Sequence, residues 1–364
     1  MNKSYSRLYF DINNCVRIYY RDSSCRKCID ICPVDALAED DYKIIPDYSS
    51  CVLCGACIGV CNSEAFNIEG FSITEFYKWF ISEKENYLSC KKNLPCLAVL
   101  DAEYLVSIVL RKKTSIKLNT IECKNCKIGN LEKKIRDNAN EANFILENFG
   151  LKERVFLNAN LSDNPGTDKK IERRMFLKNL GKTSIGLAFW ISMPDVRSME
   201  ENKEKEELKN IVVDKIKTNK RNFFLEALEN YSQNIKDKRI ELKNVSFISN
   251  KWIDSSKCTN CSVCYNLCPT GSLIAGEERL KILFEPKKCI NCNICHEVCL
   301  EKCIYISDSI NISEFLYQTN VLAEHVMVPC EECMIPFSYK GDSTLCPRCR
   351  ELGDEIKNLL DIGE

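Results

Sequence analysis

The stretch CTNCSVCYNLCP, residues 258–269, carries four cysteines at the spacing C-x2-C-x2-C-x3-C, with a proline directly after the last one. A near-copy follows at residues 289–300, and a related pair lies at residues 15–33 and 51–62. Such repetition is very improbable by chance, so these runs decide the architecture. In chain order the runs are Cys15, Cys25, Cys28 and Cys32; Cys51, Cys54, Cys57 and Cys61; Cys258, Cys261, Cys264 and Cys268; and Cys289, Cys292, Cys295 and Cys299.

The spacing of the runs is typical of sites for cubane iron–sulfur clusters. Two-residue gaps turn successive thiolates toward one centre, and the fourth ligand comes from elsewhere. Where two clusters share a domain, the fourth cysteine of each run ligates the other cluster. We therefore predict four [4Fe–4S] sites: site 1 with Cys15, Cys25, Cys28 and Cys61; site 2 with Cys51, Cys54, Cys57 and Cys32; site 3 with Cys258, Cys261, Cys264 and Cys299; and site 4 with Cys289, Cys292, Cys295 and Cys268.

By this spacing and ligation pattern, residues 1–72 and 251–312 each resemble a bacterial-type dicluster ferredoxin. The resemblance implies two small domains that carry electrons. Each domain has too few residues for a large apolar core, so we expect cluster binding to supply much of its folding energy.

The first run departs from the pattern because nine residues, instead of two, separate Cys15 from Cys25. This loop region carries Arg17, Arg21 and Arg26. We expect a basic loop that faces water, since most charged side chains do. The alternatives are that the arginines bind a partner or shield the cluster.

Other departures concern single positions. Asn62 and Leu300 replace the proline that follows the first and third runs. Cys303 stands four residues after Cys299, where the other copies have Ala36, Ala65 and Ser272. That alignment favours a small buried side chain, and free cysteine packs well as a hydrophobe. A spare ligand is the alternative.

Composition indicates reduced thiols and a cytoplasmic protein. The chain has 364 residues and clustered C-x2-C pairs, and it begins with no apolar signal segment, which argues against a disulfide-rich secreted protein. A net charge of −1 gives no basic excess for nucleic-acid binding, and His296 and His325 are the only histidines. We expect no membrane span, since no apolar run is long enough.

Residues 73–162 alternate between strand and helix patterns and predict a small parallel α/β module. Its cysteines lie near predicted strand ends, where open α/β sheets place their sites. The predicted elements are strands at 87–89, 115–121 and 155–158, and helices at 102–112 and 131–149.

The stretches CLAVLDAEYL and IECKNCKIGN, followed by a long helix and GLKERVFLNA, resemble the small iron–sulfur subunit of hydrogenase–heterodisulfide reductase complexes. The resemblance implies a [2Fe–2S] cluster on Cys90, Cys96, Cys123 and Cys126, which we call the central group. Zinc is the first rival, and four buried thiols without a metal are the other.

Residues 163–250 predict a linker with helices that pack between modules. Glu172–Lys178 resembles a twin-arginine export signal but lies far from the start of the chain. Gly181, Lys182 and Thr183 end like a phosphate-binding loop, yet Phe176 occupies the position of the required glycine. We expect neither export nor nucleotide binding.

The last segment, residues 313–364, resembles a zinc ribbon with a short terminal helix. Two C-x2-C pairs separated by twelve residues can close one tetrahedral site with four sulfur ligands. Rubredoxin-type iron is the runner-up. We call these ligands the tail group: Cys330, Cys333, Cys346 and Cys349.

The predicted fold is therefore an α+β multidomain chain, in which two ferredoxin-like dicluster domains flank a small α/β module and a helical linker, plus a C-terminal zinc ribbon. No dinucleotide, phosphate-loop or flavin motif is present, and each run supplies a fourth thiolate, which argues against a radical enzyme with an open iron. We predict an electron-transfer subunit that serves ferredoxin, hydrogenase, formate dehydrogenase or reductase subunits. A reductase acting at the central module and a cluster-based interaction or sensor protein are the alternatives.

Overall fold

The computed structural model describes residues 7–41, 43–158, 215–231 and 235–359. Within these ranges the chain mixes helices with small sheets, and the described residues form one compact unit. Glu172–Lys178, Gly181–Thr183 and the charged run at 200–209 lie outside them. Within the described ranges, no helix is both long and apolar enough to cross a bilayer.

The elements are named here in chain order. The α-helices are α1 Lys27–Asp30, α2 Ala56–Val60, α3 Ile73–Ser82, α4 Ala102–Lys112, α5 Leu131–Asn148, α6 Asn219–Tyr231, α7 Val263–Asn266, α8 Ile294–Glu297, α9 Ile312–Tyr317 and α10 Pro347–Leu359. The strands are β1 Leu8–Phe10, β2 Leu37–Asp40, β3 Lys43–Pro46, β4 Phe66–Ile68, β5 Tyr87–Leu88, β6 Ile116–Leu118, β7 Val155–Leu157, β8 Arg239–Glu241, β9 Lys251–Ile253, β10 Leu273–Ala275, β11 Lys281–Phe284, β12 Ile304–Ile306, β13 Ser309–Asn311, β14 Asn320–Glu324, β15 Val326–Pro329 and β16 Pro336–Tyr339.

The two cysteine-rich segments share one topology. In the first, β1 pairs with β4 antiparallel and β2 with β3. In the second, β9 pairs with β12 and β10 with β11 in the same way. A short helix carries the third cysteine of each run, so α1, α2, α7 and α8 hold Cys28, Cys57, Cys264 and Cys295.

The central module has the predicted parallel order. β5, β6 and β7 form one parallel sheet, with α4 and α5 as the crossovers. Helix α4 begins where Asp101 accepts a hydrogen bond from the main-chain N–H of Tyr104 at 2.9 Å. Before it, Ser72 caps α3 by accepting from the N–H of Glu75 at 3.2 Å. Both predicted helices agree with the structure to within one residue, but the strand predicted at 115–121 is only Ile116–Leu118, because a 3-10 turn begins at Ile121.

One hydrophobic core runs through several predicted segments. It includes Phe66 of the first cysteine-rich segment, Val99 of the module, Phe224 of α6 and Phe315 of α9, each at most 2% exposed. The packing against α2 is close, since a Cβ on Gly59 would lie 2.2 Å from the carbonyl oxygen of Ala98. The first cysteine-rich segment therefore has an extensive apolar core in common with its neighbours, which sequence reasoning about its small size did not anticipate.

The last segment adds to two structures formed by earlier residues and also forms a hairpin of its own. Strand β14 extends the β10–β11 hairpin to three strands, and α9 packs into the shared core. Beyond them, β15 and β16 form a separate hairpin that leads to α10. The hairpin brings the two C-x2-C pairs of the tail group together.

Candidate metal centres

The cysteines assigned to site 1 face one cavity. Cys15, Cys25, Cys28 and Cys61 all line a cavity of 220 Å³. Burial, together with the neighbouring thiols of Cys61, Cys25 and Cys15, raises the pKa of Cys28 to about 12. One of these thiols is buried and three are half-buried, so all four can become thiolates only with positive charge at their centre, which an iron–sulfur cluster would supply.

The cysteines of site 2 form a second such group. Cys32, Cys51, Cys54 and Cys57 line a smaller cavity. Burial raises the pKa of Cys54, and the thiols of Cys32 and Cys51 contribute. The arrangement therefore brings Cys32 to the second run and Cys61 to the first, in the crossed pattern that the spacing predicts.

Main-chain N–H groups point at the crossing sulfurs. The N–H of Ala36 donates to Sγ of Cys32 at 3.2 Å, and that of Ala65 donates to Sγ of Cys61 at 3.4 Å. Such hydrogen bonds favour the thiolate form that a metal ligand must adopt.

The second cysteine-rich segment repeats this arrangement. Burial raises the pKa of Cys264 to about 12, with contributions from the thiols of Cys295, Cys261, Cys258 and Cys299. The pKa of Cys292 is also raised, chiefly by burial, with contributions from Cys289, Cys295 and Cys268. The N–H of Leu273 donates to Sγ of Cys268 at 3.4 Å. Both predicted quartets are therefore brought together.

Cys303 is buried, as its alignment with small residues predicts, and it also contacts predicted ligands. Its side chain is 2% exposed, and its Sγ lies 3.6 Å from Sγ of Cys299. A hydrogen bond with Cys303 also lowers the pKa of Cys258, against the larger effect of burial. A thiol therefore lies against two of the four site 3 sulfurs.

The expected water-facing basic loop is wrong for Arg17. This side chain is 3% exposed, donates to the carbonyl oxygen of Cys25 at 2.9 Å and forms an ion pair with Glu39. Arg26 pairs with the same carboxylate from a half-exposed position, while Arg21 is exposed. Two short 3-10 turns between residues 12 and 18 fold the loop back on the segment, which explains why Arg17 is buried.

The central group also comes together. Burial raises the pKa of Cys96 to about 12, and the thiols of Cys54, Cys90 and Cys123 contribute. Burial likewise raises the pKa of Cys123 to about 11, with contributions from Cys90, Glu132 and Cys126. Cys54 belongs to site 2, so the central group lies beside that site.

The tail group is the most compact of the cysteine sets. Its four sulfur atoms lie within 4.8 Å of one another, and no other set of three or more candidate ligands in the described ranges is so close. Main-chain N–H groups of Cys346 and Cys333 donate to Cys330 and lower its pKa to about 6. This geometry suits four thiolates around a single ion.

Two buried cations near site 4 were missed from the sequence. Arg221, 4% exposed, pairs with Glu103 and donates to the carbonyl oxygens of Cys289 at 2.8 Å and Phe247 at 2.6 Å. Lys251 Nζ lies 2.9 Å from Nε2 of His296. Burial, with Lys251, lowers the pKa of His296 to about 4. Arg221 lies among other charged residues in the sequence and belongs to no spaced motif. Only its partners in the structure reveal its role.

Comparison with known proteins supports 4Fe-4S binding by the second segment. A family model described as a 4Fe-4S dicluster domain matches residues 250–304. A protein named Ferredoxin 7Fe from Hydrogenibacillus schlegelii is 39% identical over 62 residues, which cover 16% of this chain and 76% of that protein. This chain belongs to the ferredoxin family. A ferredoxin of Alicyclobacillus acidocaldarius is 42% identical over 62 residues, again 16% of this chain and 76% of the relative.

The similarity between this chain and its relatives covers a minority of the chain's length. A ferredoxin of Rickettsia felis is 29% identical over 92 residues, which are 24% of this chain and 79% of that protein. The family membership gives the chain 4Fe-4S binding and an electron-transfer role. The comparisons do not give the number of clusters or a metal for the central group and the tail group. Those inferences rest on this chain's own residues.

Proposed function

We propose that this protein holds four [4Fe–4S] clusters and relays electrons from a low-potential donor, such as a ferredoxin, hydrogenase or formate dehydrogenase subunit, to a partner reductase. The observation that supports the proposal is that the thiols of each predicted quartet lie near one another: those of sites 1 and 2 line two cavities, and those of sites 3 and 4 affect one another's ionisation. When bound, each cluster would carry one electron. The protein's residues bury the ligands, neutralise charge and exclude water.

The fit of a cluster to sites 1 and 2 rests on the chain's own donors. Each quartet lines a cavity, and an N–H group donates to the sulfur that crosses from the other run. All sixteen ligands are thiols, a set that favours low potentials. We expect the cytoplasm to be the compartment, since free thiols persist there.

For the central group we propose a [2Fe–2S] cluster. Its four thiols are near enough to affect one another's ionisation, yet they do not reach the 4.8 Å closeness of the tail group. One zinc ion would draw four sulfurs that close, whereas a two-iron cluster is a larger body with sulfurs at both ends. The spread of the thiols therefore favours the cluster over zinc.

For the tail group we propose zinc. Four sulfurs around one point, with N–H donors to Cys330, match a structural site with four cysteine ligands. This proposal is tested by metal analysis of Cys349→Ser, which we expect to lose one zinc while keeping all its iron. Loss of iron together with zinc would contradict it.

The relay is tested by stopped-flow mixing. The protein is purified anaerobically, reduced with dithionite and mixed with the proteins that co-purify with it. We expect the cluster absorbance to recover as electrons leave, and recovery to slow when site 4 is altered by Cys292→Ser. Clusters that stay reduced with every co-purified protein would contradict a relay and favour the sensor alternative.

A further inference from the structure

We propose that sites 1 to 4 and the central group form a single row in the order site 3, site 4, site 1, site 2 and central group, and that the ligands most exposed to solvent lie in its two end groups. The inference rests on the proposed function, and it adds a defined order and two separate places for redox partners to dock. Each transfer moves one electron from a reduced site to its oxidised neighbour, and no bond or proton changes. Electrons enter from a one-electron donor protein at one end and leave to a one-electron acceptor protein at the other.

The first links lie inside the two cysteine-rich segments. Helices α1 and α2, which carry Cys28 and Cys57, pack against each other, and both cysteines lie in one buried cluster. Helices α7 and α8 pack in the same way, and Cys264 and Cys295 lie in one buried cluster. Sites 1 and 2 are therefore neighbours, as are sites 3 and 4.

The middle link joins the two segments through sites 1 and 4. Cys292 of site 4 lines the same cavity as the four ligands of site 1. Asn62 takes the place of a proline directly after Cys61, and its side-chain amide donates to the carbonyl oxygen of Ile290 at 2.8 Å. Ser24, directly before Cys25, bonds to the carboxylate of Glu297.

Apolar packing closes the same junction. Val16 of the long loop forms one buried cluster with Ile290, Ile294 and Val298 of the second segment. Both departures of the first segment from the usual pattern, the long loop and Asn62, thus lie where site 1 meets site 4. A long loop that merely faced water would need neither contact.

The last link joins site 2 to the central group. Helix α2 of the site 2 run packs on the turn Leu97–Val99, which follows Cys96 directly. A Cβ on Gly59 would meet the carbonyl oxygen of Ala98, so no larger residue fits between the two groups.

Exposure marks the ends of the row. Of the cysteines in these five groups, Cys261 of site 3 and Cys126 of the central group are exposed, and all the others are buried or half-buried. These two belong to the first and last groups of the order derived from the contacts. Exposure and contacts are independent observations, and they agree on which groups are terminal.

The order is tested by electron paramagnetic resonance (EPR) of the whole protein fully reduced with europium(II). Neighbouring reduced clusters split each other's signals through magnetic coupling. We expect Cys289→Ala with Cys292→Ala, which empties site 4, to remove a splitting from the site 1 signal. The matched pair Cys258→Ala with Cys261→Ala, which empties site 3, should leave the site 1 signal unchanged. The reverse pattern, or a site 1 signal that neither pair affects, would overturn the order.

If emptying site 4 unfolds the protein, Cys292→Ser serves instead. It keeps an oxygen ligand and changes the spin relaxation of site 4, which should alter the relaxation of site 1 and not that of site 2. An unchanged site 1 overturns the order. Iron content and recovery in the stopped-flow test separate this failure from failure of the relay itself.

The two ends are tested with a soluble dysprosium complex, which speeds the spin relaxation of centres near the surface. We expect the largest enhancement for site 3 and for a [2Fe–2S] signal that Cys126→Ala changes. Equal enhancement of sites 1, 2 and 4 would overturn the two-ended row. So would the lack of any [2Fe–2S] signal in protein with a full cubane content, since the row would then end at site 2.

Discussion

The two cysteine-rich segments have the same topology but differ in the backbone conformation of their ligand runs. In three runs, at 51–61, 258–268 and 289–299, two backbone positions adopt the left-handed conformation, and the pairs are Leu53 with Gly55, Asn260 with Ser262, and Asn291 with Asn293. The first run lacks this pair, and Arg26 at the matching position has φ −125°. In the first run, packing of the long loop and the buried Arg17 take the place of the left-handed backbone positions found in the other three runs.

This difference shows that a ligand set fixes where the sulfur atoms lie but does not fix the backbone conformation of the residues between them. The left-handed conformation costs more free energy for Leu53 than for asparagine or glycine, and the tight runs adopt it at alternate positions. Their shape therefore depends on local backbone conformation. The first run instead gains contacts with the second segment, through Val16 and Ser24. We infer that the irregular run exists because two dicluster segments must join there.

The largest effect should come from breaking the attachment of the second segment. Arg221→Ala leaves Glu103 buried without its partner and removes donors to the carbonyls of Phe247 and Cys289. Breaking a buried ion pair from one side costs about 3–5 kcal/mol. We expect anaerobic holo-protein to unfold at a clearly lower urea concentration.

The control for this variant is Arg136→Ala, which removes an exposed pair with Glu132 on α5. Exposed pairs contribute about 0–1 kcal/mol, so the control should unfold close to the wild type. Equal effects of the two variants would show that the buried pair does not hold the segments together.

A smaller effect should separate the first run from the others. Arg17→Ala removes a buried guanidinium that bonds to the carbonyl oxygen of Cys25 and to Glu39, a loss of about 1.5–3 kcal/mol. Arg26→Ala removes a half-exposed partner of the same carboxylate and should cost less than about 1 kcal/mol. We expect Arg17→Ala to speed the loss of the site 1 EPR signal under chelation.

Signals of sites 3 and 4 should decay at the wild-type rate in both variants. If Arg26→Ala accelerated the loss of site 1 as much as Arg17→Ala, the loop would be held by surface charge and not by burial.

The smallest effect should distinguish site 3 from its counterpart, the site that Cys61 ligates. When Cys299 is a thiolate ligand, the Cys303 thiol donates to it, whereas Ala65 stands in the matching place and offers no side-chain donor. Donation stabilises the more negative reduced state and raises the potential. A weak S–H bond contributes about 0.5–1 kcal/mol, so Cys303→Ala should lower the site 3 potential by roughly 20–45 mV.

An EPR-monitored redox titration measures this shift. Cys303→Ser keeps a donor and should retain most of the potential, while Ala65→Cys should raise the potential of site 1. If Cys303→Ser lowered the site 3 potential as much as Cys303→Ala does, the shift would be caused by altered packing and not by loss of a hydrogen-bond donor.

Local patterns in the sequence predicted the ligand sets and the parallel module. Cysteine spacing implies which sulfurs can share a centre, and apolar periodicity identifies α4, α5 and the strands between them. The contacts that join the segments could not be predicted in this way. Arg221 meets Glu103 and Cys289, which lie 118 and 68 residues away, and no local pattern encodes such pairs.

Asn62 illustrates the same limit within a motif. In the sequence Asn62 is only a replacement of the proline after the run, yet its side-chain amide donates to the carbonyl oxygen of Ile290 across the junction. Cys303 likewise aligned with small residues, and only its distance from Cys299 revealed a thiol beside a ligand. Motif alignment therefore identified the positions that differ, and three-dimensional contacts supplied the reason.

The most direct test of the central claim is iron and sulfide analysis, with Mössbauer spectra, of anaerobically reconstituted full-length protein. Four filled cubane sites and a [2Fe–2S] centre predict about 18 iron and 18 sulfide per chain, with about 16 of the irons in cubane signals. A stable content near 8 iron would contradict the account, because one of the two cysteine-rich segments would then hold no clusters.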